Sequence, residues 1–287
     1  MSILTRISQL VTDPPPAYAF ELSEAGIAFA HGPRHGFVPL EPGTLVVSPV
    51  ADNLLRADVA TAQLKSITPL DGSKKRRRAA LILPDYAARV TVLDFDSFPS
   101  SPEEQLSLIR FRLKKTLPFD IDSAAVSYHA QPAAKGETIE VVAAVVALEI
   151  IARYEALLRA MNFQPGEVTT SSLAALNLYS PQPGVAVIVK LCGKILTVMV
   201  LDGAILKLFR CVALEAVTEQ EVLAVLHPTF AYVEDELGGP VRRLLLCGFP
   251  GGALAGLPTE RDVLNSRFGT PGAYNAGLLG HLEGVRN

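Results

Sequence analysis

The chain has 287 residues, 49% of them hydrophobic and 19% charged, with a formal net charge of −3. That composition excludes a disordered chain, and the slight acidity lacks the basic surplus of a nucleic-acid-binding domain, so no nucleic-acid partner is expected. The three cysteines, Cys192, Cys211 and Cys247, are widely spaced with no Cys-x-x-Cys pair, which predicts free thiols in a reducing compartment.

No basic region followed by an apolar core opens the sequence, so no secretory leader is expected. Lys190 and Lys194 interrupt the most hydrophobic region, and no run approaches the roughly 18 apolar residues of a membrane span. A cytoplasmic protein is expected.

Taken in order, residues 3–11 place Ile3, Ile7, Leu10 and Val11 on one helical face, suited to packing on the protein's own body or, failing that, to a membrane or partner. Asp13-Pro14-Pro15-Pro16 ends that stripe as a stiff spacer. Residues 18–29 and 36–47 read as strands about a turn at 31–36. His31 and His35 are four apart, but a turn containing Gly and Pro is no helix, and no metal pair is implied. Residues 51–67 read as a helix with Leu54, Leu55, Val59 and Leu64 on its apolar face. Pro69-Leu70-Asp71-Gly72-Ser73 breaks it, and the basic run 74–78 follows, either a solvated loop or a contact for anionic lipid headgroups.

Residues 79–84 and 90–95 read as strands leading into 101–128, SPEEQLSLIRFRLKKTLPFDIDSAAVSY. Ser101, Pro102 and Glu104 have the spacing of a capping box with Pro at the first helical position. Leu106, Ile109 and Leu113 make the apolar stripe, and Arg110, Arg112, Lys114 and Lys115 suit the negative end of the helix dipole. Pro118 stops the helix, and a short strand runs to Tyr128. Residues 139–147 are apolar throughout, as in a buried strand. Residues 148–161 form a helix with Ile151, Tyr154, Leu158 and Met161 inward, and Asn162 can end it in the left-handed conformation.

Three strands follow at 185–191, 195–201 and 204–209, the last two joined by an Asp202-Gly203 hairpin turn. The stretch 210–240 has room for two helices, near 219–226 and 229–237. A strand at 244–246 leads to Phe249-Pro250-Gly251-Gly252, and a small-residue helix at 273–282 closes the chain. No Gly-x-Ser-x-Gly and no His-Glu-x-x-His occurs. The pairs Asp94/Asp96 and Asp120/Asp122 read as solvated carboxylates. No catalytic residue is assigned, and no metal.

A helix ending in Leu-Pro-Phe-Asp-Ile-Asp, followed by an apolar strand with a tyrosine, resembles PilM, the cytoplasmic actin-like protein of type IV pilus assembly, related in fold to FtsA. The resemblance is best over residues 79–180. It implies an α/β bilobal actin-like (ribonuclease-H-like) fold. The first lobe would span 1–180 with an inserted small subdomain near 79–165, and an abbreviated second lobe would span 181–287.

In actin-like ATPases the first hairpin carries Asp-x-Gly-x-Ser as a phosphate cradle. The matching positions here are Glu21, Ser23 and the added acid Glu24. The second phosphate loop's magnesium-binding aspartate is replaced by Lys190, with Gly193 and Thr197 surviving. Gly248, Gly251 and Gly252 stand at the adenosine loop, interrupted by Phe249 and Pro250. A carboxylate in a phosphate turn repels a triphosphate, and a lysine cannot ligate magnesium. The resemblance therefore implies a pseudo-ATPase without cofactor, the alternative being a working ATPase using ATP with magnesium. It further implies a peripheral scaffold at the inner membrane that docks the tail of PilN, an inner-membrane pilus protein, with Leu117, Phe119 and Ile121 as tail-binding candidates and Lys74 and Arg76 facing the membrane. Self-association through the subdomain is the alternative use of that region. A cytoplasmic component of a type II secretion system is the alternative machine.

Overall fold

In the computed structural model, which describes residues 16–32, 34–68, 76–133, 137–257 and 259–286, the chain builds two five-stranded sheets and one of three strands. Each strand's side chains alternate between two packed faces. In β1 (Tyr18–Ser23), Phe20 and Leu22 enter one core, whereas Ala19 and Glu21 face the other side.

The first sheet orders β3 (Arg34–Pro39), β2 (Gly26–His31), β1, β4 (Arg77–Leu83) and β8 (Phe163–Thr170). The stretch read as one strand at 18–29 is two. Ser23 Oγ donates to the Gly26 carbonyl at 2.9 Å and accepts its N–H at 3.2 Å, closing a tight turn at Glu24–Ala25. The helix read from residue 51 begins six residues later, as α1 (Ala57–Ile67). Asn53 bonds the backbone of Ser48 and Ala51, and Asp52 accepts the Leu54 N–H, so local side-chain bonds outcompete the helix. Leu55 consequently points outward, 58% exposed.

The three-stranded sheet orders β5 (Arg89–Phe95), β7 (Ile139–Ala147) and β6 (Ala124–Ala130), with α2 (Pro102–Leu113) packed against it. β4 and β8 pair with the first sheet, so the inserted unit runs from Arg89 to Ala147, narrower than the expected 79–165. The reason is parallel pairing: β4 adds to β1 and β8 adds to β4, and only the excursion between them leaves the sheet. Ser101 Oγ bonds the Glu103 carboxylate at 2.8 Å instead of capping an N–H, so the capping box does not form. α3 (Leu148–Arg159) returns to the first core and ends, as read, with Asn162 at φ +58°.

The second sheet orders β11 (Ile205–Ala213), β10 (Ile195–Asp202), β9 (Val185–Cys192), β12 (Arg243–Cys247) and β13 (Glu260–Val263). The 210–240 stretch contains a single helix, α5 (Glu219–Leu237), rather than two. Pro228 lies inside it, yet Val222, Leu226, Thr229 and Val233 form one unbroken buried stripe on the sheet, and that burial carries the helix through the proline.

Two helices stand between the sheets. α4 (Ser171–Ala175) follows β8, and α6 (Ala276–Arg286) returns from the second lobe to cover Ala19, Ala28, Ala80 and Ile82 of the first. They cross at backbone contact, since a Cβ at Gly280 would lie 2.1 Å from the Ala174 carbonyl oxygen. The last helix therefore belongs to the first lobe's packing as much as to the second's. The inserted unit also touches the second lobe. Gln131 exchanges two 2.8 Å hydrogen bonds with the Leu206 backbone, and Lys207 pairs with Glu140 at 2.9 Å. Among the described residues no helix is long and apolar enough to cross a membrane.

Candidate functional site

Four strand ends and two helix starts converge between the lobes. β1 delivers Glu21, and the turn after β4 delivers Asp85. β9 delivers Lys190, and its register partner on β10 is Thr197. Each is at most 4% exposed. Asp85 accepts from the Ser172 N–H and hydroxyl at 2.6 Å each, from Lys190 Nζ at 3.0 Å and from Thr197 Oγ1 at 3.2 Å. Glu21 accepts from Ser171 Oγ and from the Leu278 N–H, the latter at 2.7 Å.

Each carboxylate thus satisfies the N-terminus of one inter-lobe helix, Asp85 that of α4 and Glu21 that of α6. Free N–H groups and the positive dipole end favour an acid there. Lys190 is the single cation in this buried group, and it comes from the opposite lobe. Burial alone would lower its pKa; Asp85, with Cys192 and Glu21 adding, overrides that and holds it above the usual lysine range. Burial dominates for Glu21 and pushes its carboxyl up, with Lys190, Ser171 and Leu278 opposing. The three thiols lie around the same cluster. Burial raises Cys192 and Cys247 to about 11 and Cys211 to about 12, which leaves them protonated and weakly nucleophilic.

Above the cluster is a cavity of about 390 Å³, with Glu21, Ser23, Glu24, Lys190 and Gly193 in its lining and Tyr274 on one wall. Glu24 Oε1 accepts the Val47 N–H at 2.8 Å and thereby fixes the neighbouring loop. Asp85, Ser171 and Cys192 also reach it, and most of the remaining lining is apolar, among it Leu40, Val46 and Ile195. The fold therefore brings together the first two loops named from the sequence, with Thr197 just beneath. It does not bring Gly248, Gly251 and Gly252 to the cavity. Gly248, at φ +78°, is pressed on the Leu191 carbonyl, and Phe249 packs into the core under α5.

The residues fit magnesium triphosphate poorly. A buried ammonium occupies the acid's position, the Ser23 hydroxyl consumes the Gly26 N–H, and Glu24 stands at the turn. Among the described residues no group of three or more metal-ligating side chains occurs.

Asp85, Ser171 and Ser172 were missed in the sequence. One signal was available: a lysine inside the apolar run Val-Ile-Val-Lys-Leu must be paired when buried, so an acid at a strand end had to exist. Of the tail-binding candidates, Ile121 is 2% exposed inside the inserted unit's core, and this burial corrects its assignment as a contact residue. Leu117 and Phe119 are half-buried against that core. Arg76 is exposed just before β4, and Lys74 lies outside the described residues.

No family model and no curated protein sequence matches the chain. Solved structures do. The PilM-PilN type IV pilus biogenesis complex aligns with a TM-score of 0.72 and 14% identity, over 95% of this chain and 99% of that one. A Bacteroides thetaiotaomicron protein of actin-like ATPase fold and unknown function gives 0.54 at 12% identity, over 100% and 99%. The cytoplasmic domain of EpsL, an inner-membrane component of the Vibrio cholerae type II secretion system, gives 0.54 at 15% identity, over 94% of each chain. These likenesses establish the fold. The chain has a bilobal actin-like fold.

Proposed function

We propose that this actin-like chain is a scaffold of a type IV pilus or related secretion platform, peripheral at the inner membrane. It holds the cytoplasmic tail of a PilN-like membrane protein and turns over no nucleotide. The observation that carries the docking role is the outer edge of β6. Among the described residues β6 pairs only with β7, which leaves one row of its backbone groups unpaired. Two clefts of about 200 and 390 Å³ run beside that edge and share Ser127, Ala144 and Leu173. The first lies toward Val168 and Thr170 of β8, the second toward Tyr179 and Leu206. An extended apolar segment added to β6 would gain ladder hydrogen bonds, with side-chain pockets supplying specificity.

The likeness to the PilM-PilN complex supports the choice of partner, and that to EpsL supports the wider class of machine. The Lys190–Asp85 ion pair supports the absence of turnover, because it joins the lobes through protein groups alone. The test is a pull-down with the cytoplasmic tail of a PilN-like protein from the same organism. Ala125→Glu, at the rim of the smaller cleft, should abolish capture while leaving the melting curve unchanged. Undiminished capture would refute docking at β6.

A further inference from the structure

The three-stranded sheet has two edges, and β5 forms the one opposite β6. β5 lies against β11, the outer strand of the second sheet, yet the two do not pair, so each presents backbone edge groups to the seam between them, apart from Leu206 of β11, whose N–H and carbonyl bond Gln131. Two adjoining clefts of about 500 and 510 Å³ follow this seam and share Arg89 and Cys211. One extends past Thr91 and Arg210 to Tyr232 on α5; the other extends to Val50, Tyr86 and Leu117.

The charges along the seam are unequal. Lys207 is consumed by Glu140. Among the described residues Arg89 and Arg210 have no hydrogen-bond or ion-pair partner, although Arg210 is half-buried. Asp94 lines the seam's far end by Tyr232, and burial, with the charges of Asp94, Glu140 and Glu236 adding, raises that tyrosine's pKa. Solvated surface arginines need no partner. These two differ because they come from different lobes and border one groove flanked by open strand edges and by the half-buried apolar side chains of Leu117 and Val212.

We infer that this seam is a second docking site, for an extended acidic segment of a partner protein that places a carboxylate between Arg89 and Arg210. Main-chain hydrogen bonds to β5 or β11 supply sequence-independent affinity, and the guanidiniums select for acid. Such a segment would tie the inserted unit to the second lobe. The inference stands whether or not β6 takes a membrane-protein tail.

The test uses the full chain and fluorescein-labelled eight-residue peptides of alternating Val-Glu or Val-Lys, read by anisotropy. The Val-Glu peptide should bind, weaken steeply with added salt, and lose at least about tenfold in affinity with Arg89→Glu or Arg210→Glu. Arg89 is exposed and Arg210 only half-buried, so folding should survive, and an unchanged melting temperature checks this. Hydrogen exchange should show new protection in β5 or β11. The inference is overturned if the Val-Lys peptide binds equally, if either arginine variant binds like the parent, if protection falls on β6 instead, or if no peptide binds. Binding to anionic lipid vesicles without binding to the peptide would overturn it as well.

Discussion

Replacing Lys190 by Met removes one charge from the buried cluster and leaves the side-chain volume nearly unchanged. Asp85 would then be buried without its only cation, keeping the Ser172 and Thr197 hydrogen bonds but no compensating charge. Breaking a buried pair in this way costs about 3–5 kcal/mol, mostly because a lone charge is stranded. The Ser172 N–H and hydroxyl bonds soften the loss, so the lower end of that range is expected. For a chain of this size the melting temperature should fall on the order of 10 °C, and the urea midpoint by roughly 1 M. The companion variant, Lys190→Met with Asp85→Asn, removes both charges and should regain more than half of the lost stability. Urea titrations of parent, both single variants and the double variant close the thermodynamic cycle. If Lys190→Met loses under about 1 kcal/mol, or the double variant is no better than the worse single one, the pair does not join the lobes and the account of the cleft is wrong.

Four further outcomes are expected. Glu21 has a raised pKa in the folded state, so its contribution is complete below its unfolded value near 4.5 and declines as pH rises through the raised one. Thermal melts should therefore show Glu21→Gln gaining on the parent from pH 5 to pH 8; a constant difference would contradict the shift. ATP with magnesium should bind no tighter than about millimolar by calorimetry, and a micromolar affinity would restore the working-ATPase reading. Iodoacetamide at pH 7.5 should label the three cysteines slowly in the native protein and fast in urea, since burial raises each thiol to about 11 or 12; rapid native labelling seen by mass spectrometry would contradict this. Gly248→Ala should destabilise by more than about 2 kcal/mol, because φ is +78° and the new Cβ would lie 2.1 Å from the Leu191 carbonyl oxygen; a wild-type urea midpoint would show that the turn relaxes freely.

Local patterns made the elements legible. The continuous apolar run at β7 and Asn162 each matched its structure, because one short-range rule decided it; the hairpin read at Asp202-Gly203 turns one residue later, at Gly203-Ala204, with Asp202 paired to Ile205. The failures came where a longer-range term competed. Two helices are read near 219–226 and 229–237, but a stripe of four buried residues runs through Pro228 between them and makes one helix in the fold. Asn53 delayed a helix through bonds to Ser48 and Ala51 that no periodicity shows. The limits of the inserted unit depended on which strands join the first sheet, and pairing is not written in either partner alone. At the site, Glu21, Glu24 and Lys190 were found by comparison with a known pattern. Asp85 and Ser172 were not, because they precede Lys190 by 105 and 18 residues and meet it only in the folded cleft.

That missing acid also explains why a lysine can stand at position 190. The first lobe brings two carboxylates to the starts of two helices, and the N–H groups of those helices satisfy them only in part. Some cation must complete the group if both acids are to remain buried. In a fold that closes on a metal–nucleotide complex, the cation comes and goes with the ligand. Here it is covalently part of β9, 1% exposed and 3.0 Å from Asp85. A tethered cation cannot leave, so the energy that links the lobes is present at all times and depends on no ligand. A single arrangement of the lobes disfavours a turnover cycle, which needs two, and favours a platform whose edges at β6 and along β5–β11 stay in fixed register for their partners.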